Sequence, residues 1–421
     1  MSPTQPLSQP ARSGPLAHLT VVDLTQHLAG PFASQILGDL GARIIKIEPP
    51  EGDSTRGVGP HFIDGDSAYY LSVNRNKESI CIDLKAPGGT DAVLALVAQA
   101  DVVLENFRPG ALTKLGLGYD VLAAMNPRVV VCSISGFGQD GPYRDLPAFD
   151  IVVQAMSGGM ALTGEPDGRP VRSGLPIGDL CAGMYGVIGT LAGLLRASTD
   201  GHGSYVDVAM LDTQVSLLSY VASYYLLAGQ IAGPQGRGHM SIPTYRAYTC
   251  SDAHDVVVAA ITPRMWRGLC AALEVAGLTD DALFHDNDTR RENRALLDTA
   301  LEAAIRQWPA HEVLRRLAAA GVPAAPINGI DTALNDPQVR HRDMVLDMSG
   351  RDEAMTAVGN PVKMSHGREQ HLAPPRLGEH TELILRTVAG LDERAIGRLA
   401  ADGVIPSDTV EGAGVPPPVA P

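Results

Sequence analysis

Several common signals are scarce or missing in this chain, and each absence excludes a class of protein. Only five cysteines occur among 421 residues, widely separated and without a CxxC pair, so neither a metal site nor a disulfide framework is predicted. This cysteine usage is typical of a reduced, cytoplasmic protein. Lysine and arginine number 33 against 47 aspartates and glutamates, which leaves a formal charge of −14. That charge argues against nucleic acid as a partner, because phosphate backbones are bound by basic surfaces.

Neither a signal peptide nor a membrane span is predicted. Residues 1–17 lack the apolar core of a signal peptide and are interpreted as a disordered lead-in. The apolar stretch 178–195 begins with Gly-Asp, contains several glycines and falls short of the roughly 20 apolar residues that cross a bilayer. A buried core helix is therefore the better interpretation. The tail, residues 406–421, is rich in proline and glycine and is predicted to be flexible.

A dinucleotide fingerprint is also missing. The turn after the first predicted strand (19–24) reads TQHLAGP instead of GxGxxG, which argues against NAD or FAD. A helix over 30–41 and a strand over 43–48 complete a βαβ unit, and further strands are predicted at 78–85, 101–105 and 129–133. This alternation predicts an α/β fold with a Rossmann-like, doubly wound parallel sheet.

A chain of this length exceeds the size of a single core, so two domains are expected. We predict a large α/β domain over 18–231 and a smaller α+β domain over 232–320. The small domain starts at a Gly/Pro-rich hinge, continues as an antiparallel hairpin over 245–260 and then becomes helical. Residues 321–405 return to the strand–turn–helix pattern and are predicted to rejoin the large domain.

The stretch GDLCAGMYGVIGTLAGLL (178–195) is the most unusual in the chain. Its four glycines, Gly183, Gly186, Gly189 and Gly193, recur at helical spacing, so they share one helix face. Each glycine destabilises a helix by roughly 0.5–1 kcal/mol relative to alanine, which points to a backbone or ligand packed closely on that face. Asp179 precedes the apolar run, and its spacing alone favours an N-cap.

Six segments, taken in order, resemble the class III CoA-transferases, a family that includes formyl-CoA:oxalate and carnitine CoA-transferases and is related to α-methylacyl-CoA racemase. They are VVDLTQHLAGPFASQILGDLGARIIKIEPPEGD (21–53), NRNKESICIDLK (74–85), DVVLENFRPGALTKLGLGYD (101–120), SGFGQDGPY (135–143), GDLCAGMYG (178–186) and GSYVDVAMLD (203–212). The later part of the chain matches mainly through VPAAPIN and NDPQV.

The resemblance implies transfer of coenzyme A from an acyl-CoA, such as succinyl-CoA, to a small carboxylic acid. The aspartate of the family's Gly-Asp motif falls on Asp179, which implies a nucleophile that forms an aspartyl-CoA thioester. An aspartate is ordinarily ionised near pH 7 and needs no base to deprotonate it. Coenzyme A acts as co-substrate, with no metal or permanently bound cofactor, and family members form interlaced homodimers. The contacts to coenzyme A are expected from Leu28, Ala29, Lys85, Asn106, Phe107, Arg108 and Lys114.

Some positions depart from the family pattern. Leu28 replaces a glutamine found in some transferases, and Pro49 replaces an arginine, so a side-chain role and a phosphate contact are lost. No glycine loop occurs at 236–245, where His239 is a candidate for contact with the acyl group, although a lone loop histidine is more often structural. A racemase needs two proton-exchanging groups, and Phe149 stands where racemases have histidine. A non-catalytic acyl-CoA-binding protein is the other alternative.

Overall fold

The computed structural model describes residues 13–351, 354–365 and 371–407. The chain divides into two compact units. The first comprises the residues up to Gly158, Ser173–Ser219 and the residues from His341 onward, and the second comprises Gly159–Arg172 and Tyr220–Arg340. Most of the predicted lead-in and tail, at 1–12 and 408–421, lies outside the described residues.

The regular elements are numbered in chain order. The strands are β1 (Thr20–Asp23), β2 (Arg43–Glu48), β3 (Phe62–Ile63), β4 (Asp66–Ser67), β5 (Lys77–Cys81), β6 (Val102–Glu105), β7 (Val130–Ser135), β8 (Ser204–Ala209), β9 (Tyr245–Thr249), β10 (Asp255–Ala259), β11 (Ala324–Pro326), β12 (Val345–Met348) and β13 (Met355–Val358). The α-helices are α1 (Ala29–Asp39), α2 (Ala68–Ser72), α3 (Gly89–Val97), α4 (Ala111–Lys114), α5 (Tyr119–Met125), α6 (Asp150–Met156), α7 (Ile177–Asp200), α8 (Met210–Leu217), α9 (Ser219–Ala228), α10 (Pro263–Ala272), α11 (Asn287–Glu292), α12 (Arg294–Ile305), α13 (Ala310–Ala319), α14 (Ile330–Leu334), α15 (Pro337–His341), α16 (Thr381–Thr387) and α17 (Glu393–Ala401).

The first unit is built on a six-stranded parallel sheet in the order β5-β2-β1-β6-β7-β8. Five of these strands are almost continuous runs of buried residues, as expected for a parallel sheet covered on both faces, whereas only the end of the edge strand β8 is buried. The order is that of the Rossmann fold, so the predicted doubly wound sheet is confirmed. The strand order reverses between β1 and β6, and ligands of such sheets bind at the carboxyl ends of the strands near this point.

The two faces of the sheet pack against different helices. One core joins Val103 and Val131 of the sheet to helices α3, α5, α16 and α17. The other core joins Leu104 and Cys132 to helices α1 and α7. Neighbouring residues of a strand point to opposite faces. Groups on the α5 face and groups on the α7 face are therefore separated by the sheet.

The glycine face of α7 is packed against protein backbone and side chains. A Cβ at Gly183 would lie 2.7 Å from the carbonyl oxygen of Ala29 in α1. At Gly186, Gly189 and Gly193 it would lie 2.5–2.9 Å from side chains of β7 and β8. The predicted close contact on this face is therefore confirmed, and it is made with α1 and the sheet.

Helix α7 is longer than predicted, because it continues to Asp200 and has 24 residues. By length and composition it is the one described helix that qualifies as a candidate membrane span. Its glycine face is nevertheless packed as in the core helix of a soluble protein. The prediction of a buried core helix holds for that face, whereas Met184, Ile188 and Leu195 on other parts of its surface are exposed.

The second unit has its own core around Trp266, Leu301 and Leu317, which joins helices α10, α12 and α13 to a small sheet. The predicted hairpin is present as the antiparallel pair β9–β10. The short strand β11 also pairs with β10, antiparallel. The expected small domain, 232–320, lies inside this unit. The unit also contains 159–172 and 220–231, which were predicted in the large domain, and 321–340, which were predicted to rejoin it. The pairing of β11 with β10 joins part of the last segment to this unit.

Candidate active site

Asp179 lies in the first turn of α7 but does not cap it. The residue before the helix is Pro176, and no side chain at that position caps the helix. The backbone N–H of Gly178 donates instead to Oδ1 of Asp150, at 2.7 Å. The N-cap interpretation of Asp179 is therefore wrong, because a carboxylate from another helix satisfies this end of α7. No hydrogen bond to the Asp179 carboxyl group is found among residues 13–351, 354–365 and 371–407.

Asp150 is the feature of the site that the sequence did not reveal. It begins α6, and its Oδ2 accepts a hydrogen bond of 2.6 Å from the Gln154 side chain. Gln154 is held in turn by the backbone N–H of Ser173, at 2.8 Å. Asp150 is thus fixed beside the residue that precedes Asp179. The site contains two neighbouring carboxyl groups where the motif had suggested one.

Burial, and then the charge of Asp150, raise the pKa of Asp179 from 3.8 to about 7. The expectation of a fully ionised carboxylate near pH 7 is therefore wrong. At that pH, a substantial fraction of Asp179 retains its proton. A carboxylate with a raised pKa is also more basic, and hence a stronger nucleophile once ionised, than an exposed aspartate.

Tyr69 lies in the same neighbourhood. Burial, followed by the charges of Asp179, Asp53 and Asp150, raises its pKa above 10, so the phenol remains a neutral hydrogen-bond donor. Its side chain is partly exposed. No hydrogen bond to its hydroxyl group is found within the described part of the chain, so this donor is available to a ligand.

The start of α1 is brought next to Asp179 through the glycine face. Asp179 and Gly183 are four residues apart on α7, so they occupy the same face one turn apart. Gly183 in turn contacts the backbone of Ala29. The predicted coenzyme contacts Leu28 and Ala29 therefore lie close to the predicted nucleophile. Among the described residues, the first N–H groups of α1, at Ala29 and Gly30, form no hydrogen bond of ordinary geometry, and a helix start in this condition can bind an anion.

The turn that carries Leu28 is held from two sides. Asn106 accepts from the Gln26 N–H at 2.9 Å and donates to the Gln26 carbonyl at 2.7 Å. On the other side, the fully buried Lys46 donates to the Thr25 carbonyl at 2.7 Å and to Asp53 at 2.9 Å. Asn106 was predicted as a coenzyme contact. In the structure its amide holds the turn that includes two other predicted contacts.

The remaining predicted coenzyme residues follow the carboxyl ends of strands in the sheet. Lys85 follows β5, and Arg108 and Lys114 follow β6. All three side chains are exposed, and none forms an ion pair within the described residues. Phe107 is half-buried, with its ring against the α5-side core. Pro49 directly follows β2 and offers no donor there.

Arg108 also lines a cavity of about 290 Å³, together with Glu105, Ser133 and Tyr205. The last three of these residues lie on the α5 face of the sheet. Their chain neighbours Leu104, Cys132 and Val206 pack on the α7 face, and adjacent residues of a strand point to opposite faces. The cavity and Asp179 are therefore on opposite faces of the sheet. Of the predicted residues, Ala29 contacts α7 one turn from Asp179, Leu28 precedes it, and Asn106 holds the turn that carries both.

His239 lies in the second unit, within a cluster of tyrosines. Its Nδ1 accepts from the Ser241 N–H at 3.0 Å, and its Nε2 lies 3.1 Å from the Tyr220 hydroxyl. The ring also stacks on Tyr220 and meets Tyr245 edge-on. Because Nδ1 accepts from a backbone N–H, the proton of the neutral ring resides on Nε2. Both nitrogens thus have partners inside this unit.

No group of three or more His, Cys, Asp or Glu side chains in the described ranges is arranged to hold a metal ion.

The chain belongs to CoA-transferase family III, whose family model matches residues 16–381. It is therefore an enzyme of the class that moves coenzyme A between acyl-CoA thioesters and carboxylic acids.

Its relatives match over most of their length. It is 38% identical to succinyl-CoA:glutarate CoA-transferase from Homo sapiens, over 93% of this chain and 90% of that protein. It is 39% identical to acetyl-CoA:oxalate CoA-transferase from Acetobacter aceti, over 87% and 94% respectively. Among solved structures, a CAIB/BAIF family protein from Brucella suis is 37% identical with a TM-score of 0.81, covering 90% of this chain and all of that one.

Proposed function

We propose that this enzyme transfers coenzyme A between two dicarboxylic acids, with Asp179 as the nucleophile. The observation that supports this most strongly is the Asp179 carboxyl group itself, half-buried beside two helix starts and without a hydrogen-bond partner in the described part of the chain. The human relative acts, by name, on succinyl-CoA and glutarate, and the Acetobacter relative on acetyl-CoA and oxalate, so the acid named beside the CoA donor is a dicarboxylic acid in both. Succinyl-CoA and glutarate are therefore the first substrates to test.

The reaction proceeds in two symmetric halves. The Asp179 carboxylate attacks the thioester carbonyl, which releases coenzyme A thiolate and leaves a mixed anhydride. The thiolate then attacks the aspartyl carbonyl, which releases the donor acid and forms the aspartyl-CoA thioester. The acceptor carboxylate attacks this thioester, and the thiolate that leaves attacks the acceptor acyl carbon. The new acyl-CoA departs and the Asp179 carboxylate is restored.

Negative charge develops on the carbonyl oxygen in each attack. The N–H groups at Ala29 and Gly30 are positioned at the start of α1 to stabilise such an oxyanion, and the positive end of the helix dipole adds to this. Lys85, Arg108 and Lys114 are assigned to the phosphates of coenzyme A, because their charges lack acidic partners in the described residues. Charge-assisted contacts of this kind contribute on the order of 1.5–3 kcal/mol each, which offsets the negative charge of the whole protein. Phe107 remains a predicted contact to coenzyme A.

The direct test is to incubate the protein with succinyl-CoA and glutarate and to follow glutaryl-CoA by mass spectrometry. In a second sample, the protein is treated with acyl-CoA and then borohydride, which reduces a thioester on aspartate and marks that residue. We expect glutaryl-CoA to form and the mark to map to Asp179. A mark on another residue would overturn the mechanism, and the absence of any new CoA ester would overturn the proposed substrates.

The pH dependence of kcat/KM provides an independent prediction. Only ionised Asp179 attacks, and its raised pKa places the loss of activity near pH 7 as the pH falls, well above the value for an ordinary aspartate. Asp150→Asn removes one of the two causes of the shift, so the acid limb should move to lower pH without reaching 3.8, because burial remains. An acid limb at the same pH in both proteins would show that Asp150 does not influence Asp179.

We propose also that the enzyme is an interlaced homodimer and is cytoplasmic. Supporting a dimer, Leu226, Leu227 and Ile231 are each more than three-quarters exposed, which is unusual for side chains of this size in a monomer. Light scattering of the purified protein tests the dimer.

The cysteines support a cytoplasmic location, because all five are free and buried. Fractionation of cells that produce the tagged protein tests it.

A further inference from the structure

His27 has an unusual backbone conformation next to the site. Its φ angle is +66°, in the left-handed region that residues other than glycine rarely adopt. The conformation is imposed from both sides, since Asn106 holds Gln26 and Oδ1 of Asp53 lies 3.5 Å from the His27 N–H. Strain that the surroundings enforce in this way is often associated with a functional side chain.

The ring of His27 contacts the residue that precedes Asp150, the neighbour of the predicted nucleophile. It meets the ring of Phe149 edge-on, with centroids 6.2 Å apart, and Phe149 directly precedes Asp150. His27 is also two residues before Ala29, whose carbonyl contacts Gly183 one turn from Asp179. The side chain is exposed, and its two nitrogens have no hydrogen-bond partner among the described residues.

A dicarboxylic substrate brings a second negative charge to this site. One carboxyl group reacts, while the second keeps its charge throughout and must be accommodated beside Asp179 and Asp150. Two buried cations of this unit are not available to bind that carboxylate, since Lys46 is paired with Asp53 and Lys77 with Asp23. Arg56 is likewise paired, with Glu48 and Asp66.

Besides the backbone N–H groups at Ala29 and Gly30, the described part of the first unit has two unpartnered side-chain donors in this neighbourhood, the Tyr69 hydroxyl and the His27 imidazole. Of these, only the imidazole donates a hydrogen bond when neutral and also carries a positive charge when protonated. We propose that His27 is a specificity-determining residue that binds the second, non-reacting carboxylate of the dicarboxylic acid. This inference rests on the proposed function and adds to it the group that selects diacids over monoacids.

The test compares two acceptors of similar length, glutarate and butyrate, with succinyl-CoA as the common donor. In a ping-pong reaction, kcat/KM for the acceptor reports only the second half-reaction, so any effect on the donor cancels. His27→Asn is the main variant, because asparagine tolerates a left-handed backbone and keeps a neutral donor. His27→Gly removes the side chain and relieves the backbone strain.

We expect His27→Gly to lower kcat/KM for glutarate by about 10- to 100-fold, the effect of losing a hydrogen bond to a charged group, with butyrate little changed. For His27→Asn, kcat/KM for glutarate should lie between the values of the unaltered enzyme and His27→Gly. If the ratio of the two acceptors is the same in all three proteins, or if both acceptors lose activity equally, His27 does not select the acid. If the unaltered enzyme uses neither acceptor, the proposed dicarboxylate function itself fails.

Discussion

Asp179→Asn is expected to reduce CoA transfer by at least about 10³-fold, the scale of losses seen when a catalytic nucleophile is removed. The amide has nearly the shape of the carboxyl group, so packing is conserved while the nucleophilic oxygen is lost. Steady-state formation of glutaryl-CoA from succinyl-CoA and glutarate measures the loss. Asp347→Asn, at an exposed carboxylate of β12, is the matched control and should keep full activity.

The same variant should be more stable than the original protein at alkaline pH. Because the folded state raises the pKa of Asp179 from 3.8 to about 7, the unfolded chain loses this proton first, and the stability of the fold falls progressively as the pH rises from about 3.8 to about 7. Three pKa units correspond to at most about 4 kcal/mol, and partial solvent contact reduces the expected gain to about 1–3 kcal/mol. Asparagine carries no charge at any pH and avoids this loss.

Denaturant unfolding at pH 4 and pH 8 checks this prediction. The gain of Asp179→Asn over the original protein should be present at pH 8 and nearly absent at pH 4, whereas Asp347→Asn should show no such difference. A variant that is inactive and yet more stable identifies a residue retained for chemistry at a cost in stability. Normal transfer activity in Asp179→Asn would instead rule out the covalent mechanism.

Lys46→Met is expected to destabilise the protein by about 3–5 kcal/mol, because it leaves buried carboxylates without their cation. Lys46 and Asp53 are both fully buried at the contact, and the charge of Lys46 also helps to lower the pKa of the neighbouring Asp23. Burial alone would lower the pKa of Lys46, but Asp23, Asp53 and Glu48 outweigh it and keep the ammonium charged. Methionine fills similar space without restoring the charge.

Chemical denaturation measures this loss, with Arg196→Met as the comparison. Arg196 pairs with Asp200 on the exposed surface of α7, so its removal should change stability by less than about 1 kcal/mol. Similar small losses in both variants would show that the buried pair contributes little. In preparations of Lys46→Met that fold, KM for acyl-CoA should also rise, because Lys46 holds the Thr25 carbonyl at the base of the turn that carries Leu28 and Ala29.

Most of the first unit follows from patterns that are local in the chain. Buried runs such as RIIKIE, separated by helices of suitable length, are sufficient to predict parallel strands and a doubly wound sheet. The glycine spacing in α7 likewise predicts a closely packed face, because helical periodicity alone decides which residues share it. The bounds of the second unit were harder to predict, since β11 is joined to it by pairing with a distant strand.

The sheet, the glycine-faced helix and the family motifs that single out Asp179 could be predicted from local patterns, because each depends on residue types at short spacing. The behaviour of that carboxyl group could not, since it depends on residues that the fold brings together. Asp150 lies 29 residues before Asp179 in the chain, yet it satisfies the start of α7 and raises the pKa of Asp179. His27 and Tyr69 became candidates for the same reason. Burial and charge depend on which distant residues are brought together, and no local pattern records that.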